Sequence, residues 1–554
     1  MNKRIALLLA VLLTACATER QETTAPAGGT AKPQESRAAD QTAARREARP
    51  LAPMAESVQP KLAAPASMGA LMPMPSIAPP MQDRERYQAT ADNPVHQAAA
   101  NPVSTFSIDV DTGSYSNVRR MLNEGRLPPA DAVRVEEMVN YFPYDYARPT
   151  GRDPFAVHTE LAPAPWNTGN VLLRVGIKGQ DLAKASLPPA NLVFLVDVSG
   201  SMSDKDKLPL LKSSLKLLIN ELRPTDKVTL VTYSGRTAVL LPPTAASEKA
   251  TLLTAIDGLQ AGGSTAGASG IQLAYQMAQQ SFIKNGINRI LLATDGDFNV
   301  GVTNFSQLKQ MVEEKRKSGV SLSTLGFGTG NYNEHLMEQL ADAGDGAYSY
   351  VDSLMEGHKV LVNEMTSTLA TIAQDVKIQV EFNPASVKEY RLIGYENRLL
   401  KQEDFNNDKV DAGDIGSGHT VTALYEVTLA DGKGLVDPLR YQPAIGARAA
   451  AKELAFIKLR YKHPGEKTSQ LISFPVERAA IRPMAQTGSE FRFAAAVAGF
   501  GQLLRGGKYT GKWSFDEARQ LAAPSIGADK FGYRGEFLRL IDLAKAQSTP
   551  ATAK

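Results

Sequence analysis

A chain of 554 residues exceeds what one compact core supports, so two or three domains with connecting segments are expected. Acidic and basic residues nearly balance, leaving a formal charge of +3, which argues against nucleic acid as a partner because such binders carry a clustered basic face. The six histidines are scattered with no pair at HxxxH spacing, so a zinc site or a histidine-based triad is hard to assemble from the sequence.

Asn2-Lys3-Arg4 is a short basic stretch, Ile5 to Leu13 is apolar, and Leu13-Thr14-Ala15-Cys16 follows. The apolar run is too short to cross a bilayer as a stable helix. This stretch resembles the lipobox of bacterial lipoproteins, in which the signal is cut before the cysteine and the cysteine is lipidated. The resemblance implies a signal peptide over 1–16, lipidation at Cys16 and a lipid-anchored protein of the cell envelope. Ala17, standing where aspartate would retain the protein at the inner membrane, implies the outer membrane. The alternative is a plain secretory signal with a chance cysteine. Cys16 is the single cysteine, so the mature chain would have neither a free thiol nor a disulfide.

Residues 17–102 are rich in Ala, Pro, Gln, Thr and Met, and cannot bury enough apolar surface to offset their ordering entropy. They read as a disordered tether with a root-mean-square span of roughly 50 Å. Order is expected from Val103. Over 103–188 the pattern gives a strand, a helix, a Pro128-Pro129 break, a second helix ending before Pro143, and two strands. In the second of these strands Val171, Leu173, Val175 and Ile177 alternate, with Leu172 the one apolar residue on the other face.

From Asn191 the pattern changes. "NLVFLVDVSG" is a continuous apolar run, as expected of a strand buried on both faces of a parallel sheet. The helix after it carries Leu211, Leu215, Leu218 and Leu222 on one stripe. Strand and helix then alternate through 189–373, which predicts an α/β, doubly wound, mostly parallel Rossmann-like sheet. Over 374–554, short runs split by turn residues predict a β-rich, sandwich-like region that ends in two helices.

In a parallel α/β sheet, ligands bind at the carboxyl ends of the strands. There the first strand delivers Asp197, Ser199 and Ser201, the loop "AGGSTAG" delivers Thr265, and a later strand delivers Asp295 with Asp297 close behind. An all-oxygen set of this kind suits a hard cation such as Mg²⁺ or Mn²⁺. In type and order these residues resemble the metal-ion-dependent adhesion site of the von Willebrand factor type A domain. The resemblance implies that Ser199, Ser201 and Thr265 contact the metal, and that Asp197 and Asp295 act largely through water. A ligand carboxylate would complete the octahedron. The wider chain, from "STFSIDVDTGSYSNVRR" onward, resembles a bacterial lipoprotein family with a type A domain between family-specific flanks. The expected function is a non-enzymatic, metal-dependent protein-binding module whose partner offers an acidic side chain. The alternatives are a hydrolase using Asp297 as base at the same metal, and an envelope scaffold with a vestigial site. The strands of 154–180 and 374–480 are expected to form one β-domain into which the type A domain is inserted.

The remaining motifs are weaker. Asp404, Asn406 and Asp408 start like a calcium loop, but Lys409 and Ile415 stand where Gly and Glu are needed, so a polar turn is expected. Gly262-Gly263 lacks the Lys-Ser or Lys-Thr of a phosphate loop. His419 reads as a surface histidine, and Tyr141 to Tyr146 as aromatic packing. "SIDVDTGSYS" mimics the metal motif without its Asp-x-Ser-x-Ser spacing, leaving Asp109 and Asp111 for turns or a domain contact.

Overall fold

In the computed structural model, residues 85–264, 267–296, 305–437 and 452–548 are described. Cys16, Thr265 and Asp297 lie outside them, as do the expected signal and the expected tether up to residue 84. The first ordered elements are β1 (His96–Gln97), β2 (Val103–Ser107), α1 (Gly113–Asn123), α2 (Val135–Asn140), β3 (Phe155–Ala164) and β4 (Asn167–Gly179). There follow β5 (Ala190–Asp197), α3 (Leu208–Glu221), β6 (Lys227–Tyr233), β7 (Thr237–Ala245), α4 (Lys249–Asp257) and α5 (Gly267–Gln280). Then come β8 (Ile287–Thr294), α6 (Phe305–Arg316), β9 (Ser321–Phe327), α7 (Glu334–Ala343), β10 (Tyr348–Val351), and the short α8 (Leu354–His358) and α9 (Met365–Leu369). The last part holds β11 (Thr371–Phe382), β12 (Val387–Ile393), β13 (Ile415–Gly416), β14 (Thr420–Leu429), β15 (Glu453–Lys462) and β16 (Gln470–Glu477). Three helices close it: α10 (Ser489–Leu504), α11 (Phe515–Ala522) and α12 (Tyr533–Ser548).

The central sheet has the order β10-β9-β8-β5-β6-β7, parallel throughout except for the antiparallel edge strand β7. The apolar run of β5 is continuous because both faces are covered. Leu192, Phe194 and Val196 join one core with Leu211, Leu215 and Leu218 of α3, while Val193 and Leu195 join another with α5, α6 and α7. β7 breaks the expected alternation of strand and helix. Pro242 and Pro243 hide it in the sequence, and proline is tolerated there because the strand lies at the sheet edge.

The flanking strands form a sandwich. One sheet has the order β1-β12-β14-β4-β3, and the other is built on β11, which pairs with β2, β13 and β15. β4 pairs with β14 from Val171↔Val427 to Lys178↔Thr420, so strands from both sides of the central domain share one sheet. The central domain is therefore an insertion in the sandwich. Val171, Leu173, Val175 and Ile177 enter the inter-sheet core, and Leu172 faces a separate helical core with α1, α2, α10, α11 and α12.

Two expectations are corrected. The expected tether does not run to residue 102: Asn93 donates to the Leu392 and Gly394 carbonyls at 3.1 and 2.7 Å, β1 pairs with β12, and Glu85 meets Arg120 at 2.8 Å. Long-range side-chain contacts order this stretch despite its composition. The second concerns α11, a third C-terminal helix, which starts on a capping box between Ser514 and Glu517.

Arg119 of α1 joins the parts. Its guanidinium, 3% exposed, reaches Asp352 after β10, Glu356 of α8 at 2.7 Å, Glu536 of α12 at 3.0 Å and the Tyr141 hydroxyl at 2.8 Å. Removing one partner of such a network strands the others as buried charges, at a cost of about 3–5 kcal/mol. Arg119→Met is expected to lower the unfolding free energy by that amount in a denaturant titration.

Candidate metal centre

β5 and β8 are parallel neighbours, in register through Val196↔Ala293, so their carboxyl ends deliver Asp197 and Thr294 side by side. The Thr294 hydroxyl donates to Asp197 Oδ2 at 2.8 Å, and the Ser199 N–H donates to Asp197 Oδ1 at 2.9 Å. The Ser199 and Ser201 hydroxyl oxygens are 3.0 Å apart. Asp197 and Asp295 are fully buried and Ser199 is 2% exposed. Burial pushes the Asp197 carboxyl up to about 6; the hydrogen bonds from Ser199 and Thr294 oppose this, and the Asp295 charge adds to it.

The loop expected to carry Thr265 is docked here by its backbone. Gly262 N–H donates to the Val198 carbonyl at 2.8 Å, and Gly200 N–H to the Gly263 carbonyl at 3.0 Å. Gly263 has φ +88°, which only glycine adopts readily. Four of the five expected donors thus share the sheet edge, and the fifth lies outside the described residues.

Lys207 was missed by sequence reasoning. Its ammonium is 3.0 Å from Asp295 Oδ2 and 3.1 Å from Asn331 Oδ1, and Asn331 Nδ2 donates to the same Asp295 oxygen at 3.1 Å. The Lys207 stem passes over Gly328 (φ +77°), where a Cβ would collide with it. A lysine just before a helix reads as solvated in sequence, yet this one is buried. The donor set still fits a hard cation, since carboxylate and hydroxyl oxygens converge and, among the described residues, no soft ligand intrudes. What departs from a simple oxygen cage is the ammonium already seated on Asp295.

The other motifs resolve as follows. The Asp404–Asp408 segment spans the end of a short 3-10 helix (Gln402–Asn406) that buries Phe405, with the Lys377 ammonium on the Asp404 and Asn407 carbonyls and Arg460 on Asp408. Tyr141, Phe142, Tyr144 and Tyr146 are buried, and Tyr141 stacks on Tyr115 with centroids 3.8 Å apart. Asp111 makes the domain contact, accepting from Tyr348 N–H of β10 at 2.7 Å and from Arg398 at 2.9 Å. His419 is corrected: it is half-buried, and burial, then Lys359 and Lys178, push it down to about 4, so it is neutral at pH 7.

Residues 191–364 match the von Willebrand factor type A domain, 81–174 match a von Willebrand factor family, and 367–547 match the C-terminal region of "Uncharacterized protein YfbK". The YfbK protein of Escherichia coli (strain K12) is 53% identical over 468 residues, covering 83% of this chain and 81% of that protein. The chain belongs to the YfbK family. Its central domain is a von Willebrand factor type A domain carried between the two YfbK-type flanks. The type A region is also similar to human inter-alpha-trypsin inhibitor heavy chain H4, 32% identical over 148 residues, which cover 25% of this chain and 16% of that protein. Among solved structures, a von Willebrand factor type A protein from Catenulispora acidiphila is 15% identical with a TM-score of 0.41, covering 74% of this chain and all of that one.

Two outcomes follow for this YfbK-family site. Lys207→Met should tighten divalent-cation binding at least about tenfold by calorimetry, because cations about 4 Å apart repel by about 4 kcal/mol at an effective dielectric of 20. Asp197 must lose its proton to face a cation, so binding should be full above about pH 6 and weaken by about tenfold per pH unit below it. Titrations at about pH 7 and about pH 5 check this. In the metal-free protein the sign is opposite for folding: the raised Asp197 group favours the fold at low pH and loses that contribution as pH rises through about 6.

Proposed function

We propose that this protein is a non-enzymatic, divalent-cation-dependent protein-binding module of the cell envelope, anchored by lipid at Cys16, with the outer membrane as its location. The reading is carried by one observation: Asp197, Ser199, Ser201 and Asp295 gather at the carboxyl edge of a type A sheet. These four, with Thr265 as the fifth donor, would hold Mg²⁺ or Mn²⁺. Once bound, the cation supplies a positive centre with a coordination position for a carboxylate from outside. The chain fixes the donors: Ser199 N–H and the Thr294 hydroxyl clamp both oxygens of Asp197, and Asn331 holds Asp295. The ligand would be an acidic side chain of a protein partner, selected by the surrounding loops.

Lys207 gives specific support to a second reading, a scaffold with a vestigial site, because an ammonium already neutralises one of the two carboxylates. Cation titration separates the two. Binding of Mg²⁺ or Mn²⁺ that disappears in Asp197→Ala is expected, and no binding by the native protein leaves the scaffold. Pull-downs from envelope fractions should then lose a partner on addition of EDTA and in Asp197→Ala. Retention of every partner under both conditions rejects the metal-bridged contact.

A further inference from the structure

The loop between β2 and α1 carries Asp109, the residue that rhymes with Asp197 in sequence, and α2 carries Glu136 and Glu137. One carboxylate oxygen from each lies within 4.8 Å of the others, and all three side chains are buried. Oxygens around a single calcium ion, each bound at 2.3–2.6 Å, lie at most about 5 Å apart. The spacing is compatible with a coordination shell.

Two observations distinguish this group from an ordinary acidic cluster. Glu136 is 1% exposed and neither of its carboxylate oxygens has a hydrogen-bond partner; Asp109 Oδ2, on a side chain 2% exposed, lacks one too. Buried carboxylate oxygens without partners are costly unless a cation or proton meets them. Positive charge is also short here. Arg398 approaches Asp109 Oδ2 at 3.2 Å without hydrogen-bond geometry and donates to Asp109 Oδ1 at 3.3 Å, but the same guanidinium also serves Asp111 at 2.9 Å and Asp342 at 2.8 Å. Arg134 also acts on Glu136, but among the described residues its ion pair is with Glu338, at 3.6 Å. The remaining contacts fix the donors in place: Asp109 Oδ1 accepts from Asp111 N–H at 3.0 Å, and Glu137 Oε2 accepts from Ser114 N–H at 2.8 Å. A cavity of about 80 Å³, lined in part by Asp109, Asp111 and Arg398 but by neither glutamate, opens on the Asp109 side of the group.

We propose that Asp109, Glu136 and Glu137 form a second cation site, separate from the one at Asp197, which takes a hard divalent ion with calcium preferred. Calcium accepts carboxylates in irregular geometry. Magnesium demands a near-ideal octahedron and retains several waters, for which this buried site has little room. The ion would act as a clamp rather than a docking point. Asp109 leaves the sandwich strand β2, the glutamates sit on α2 over β14 and α10, and the adjoining Asp111 grips β10 of the type A domain. The competing arrangement is a proton shared among the carboxyls.

The test uses the full chain stripped with EDTA, dialysed against calcium and assayed for bound metal. Asp197→Ala serves as the background, so the outcome does not depend on the first site. It should retain one calcium per chain, and the isosteric Glu136→Gln added to it should retain none. A background that binds no calcium, or a double variant that binds as much, overturns the proposal and leaves the shared proton. Should the double variant not fold, the thermal midpoint of Asp197→Ala alone decides: it should rise with calcium and fall back with EDTA, and an unmoved midpoint also overturns the site.

Discussion

The pairing of β4 with β14 is the constraint on which the rest of the molecule hangs. It fixes both ends of the type A domain to one sandwich, since the chain leaves at Gly179 and returns at Thr371. The seam is tight: Gly179 N–H donates to the His419 carbonyl at 2.8 Å, and a Cβ on Gly179 would crowd Gly416 and Ile372. Against this mount the inserted domain is held a second time by Arg119, whose guanidinium gathers acids from the type A domain and from the last helix. A hinge at the two crossing points would have to break that buried network, so the geometry favours one rigid body over a swinging head.

That rigidity bears on the metal edge. The donors of Asp197 and Ser199 are held by backbone and side-chain hydrogen bonds already in place, which lowers the ordering cost of binding an ion. Lys207 works the other way by occupying Asp295. The edge thus combines preorganised oxygens with an ammonium that would compete with any cation brought to them.

The fold was legible wherever burial wrote a period into the chain. β5 reads as doubly buried because it is, and the leucine stripe of α3 faces the core it predicts. The oxygen cluster at the sheet edge was legible because adjacent parallel strands place chain-distant oxygens together by topology alone. What the sequence hid depends on contacts without periodicity. Residues 85–102 are ordered by partners some 300 positions away, such as Leu392 and Gly394 on Asn93. β7 is masked by its prolines, and α11 by its polarity, although its capping box was there to be read. Lys207 looks like any surface lysine. Asp109 and the two glutamates have no motif spacing, because a folded loop and helix, not a repeat, bring them together.

The insertion also imposes an order on folding as the chain emerges. β3 and β4 appear early, but β14, the strand that covers the other edge of β4, follows only after about 240 further residues. Until β14 arrives the hairpin presents an open edge. The type A domain, built from local strand–helix units, can close during that interval. Closing it would draw Gly179 and Thr371 together, the two points at which the sandwich strands must meet.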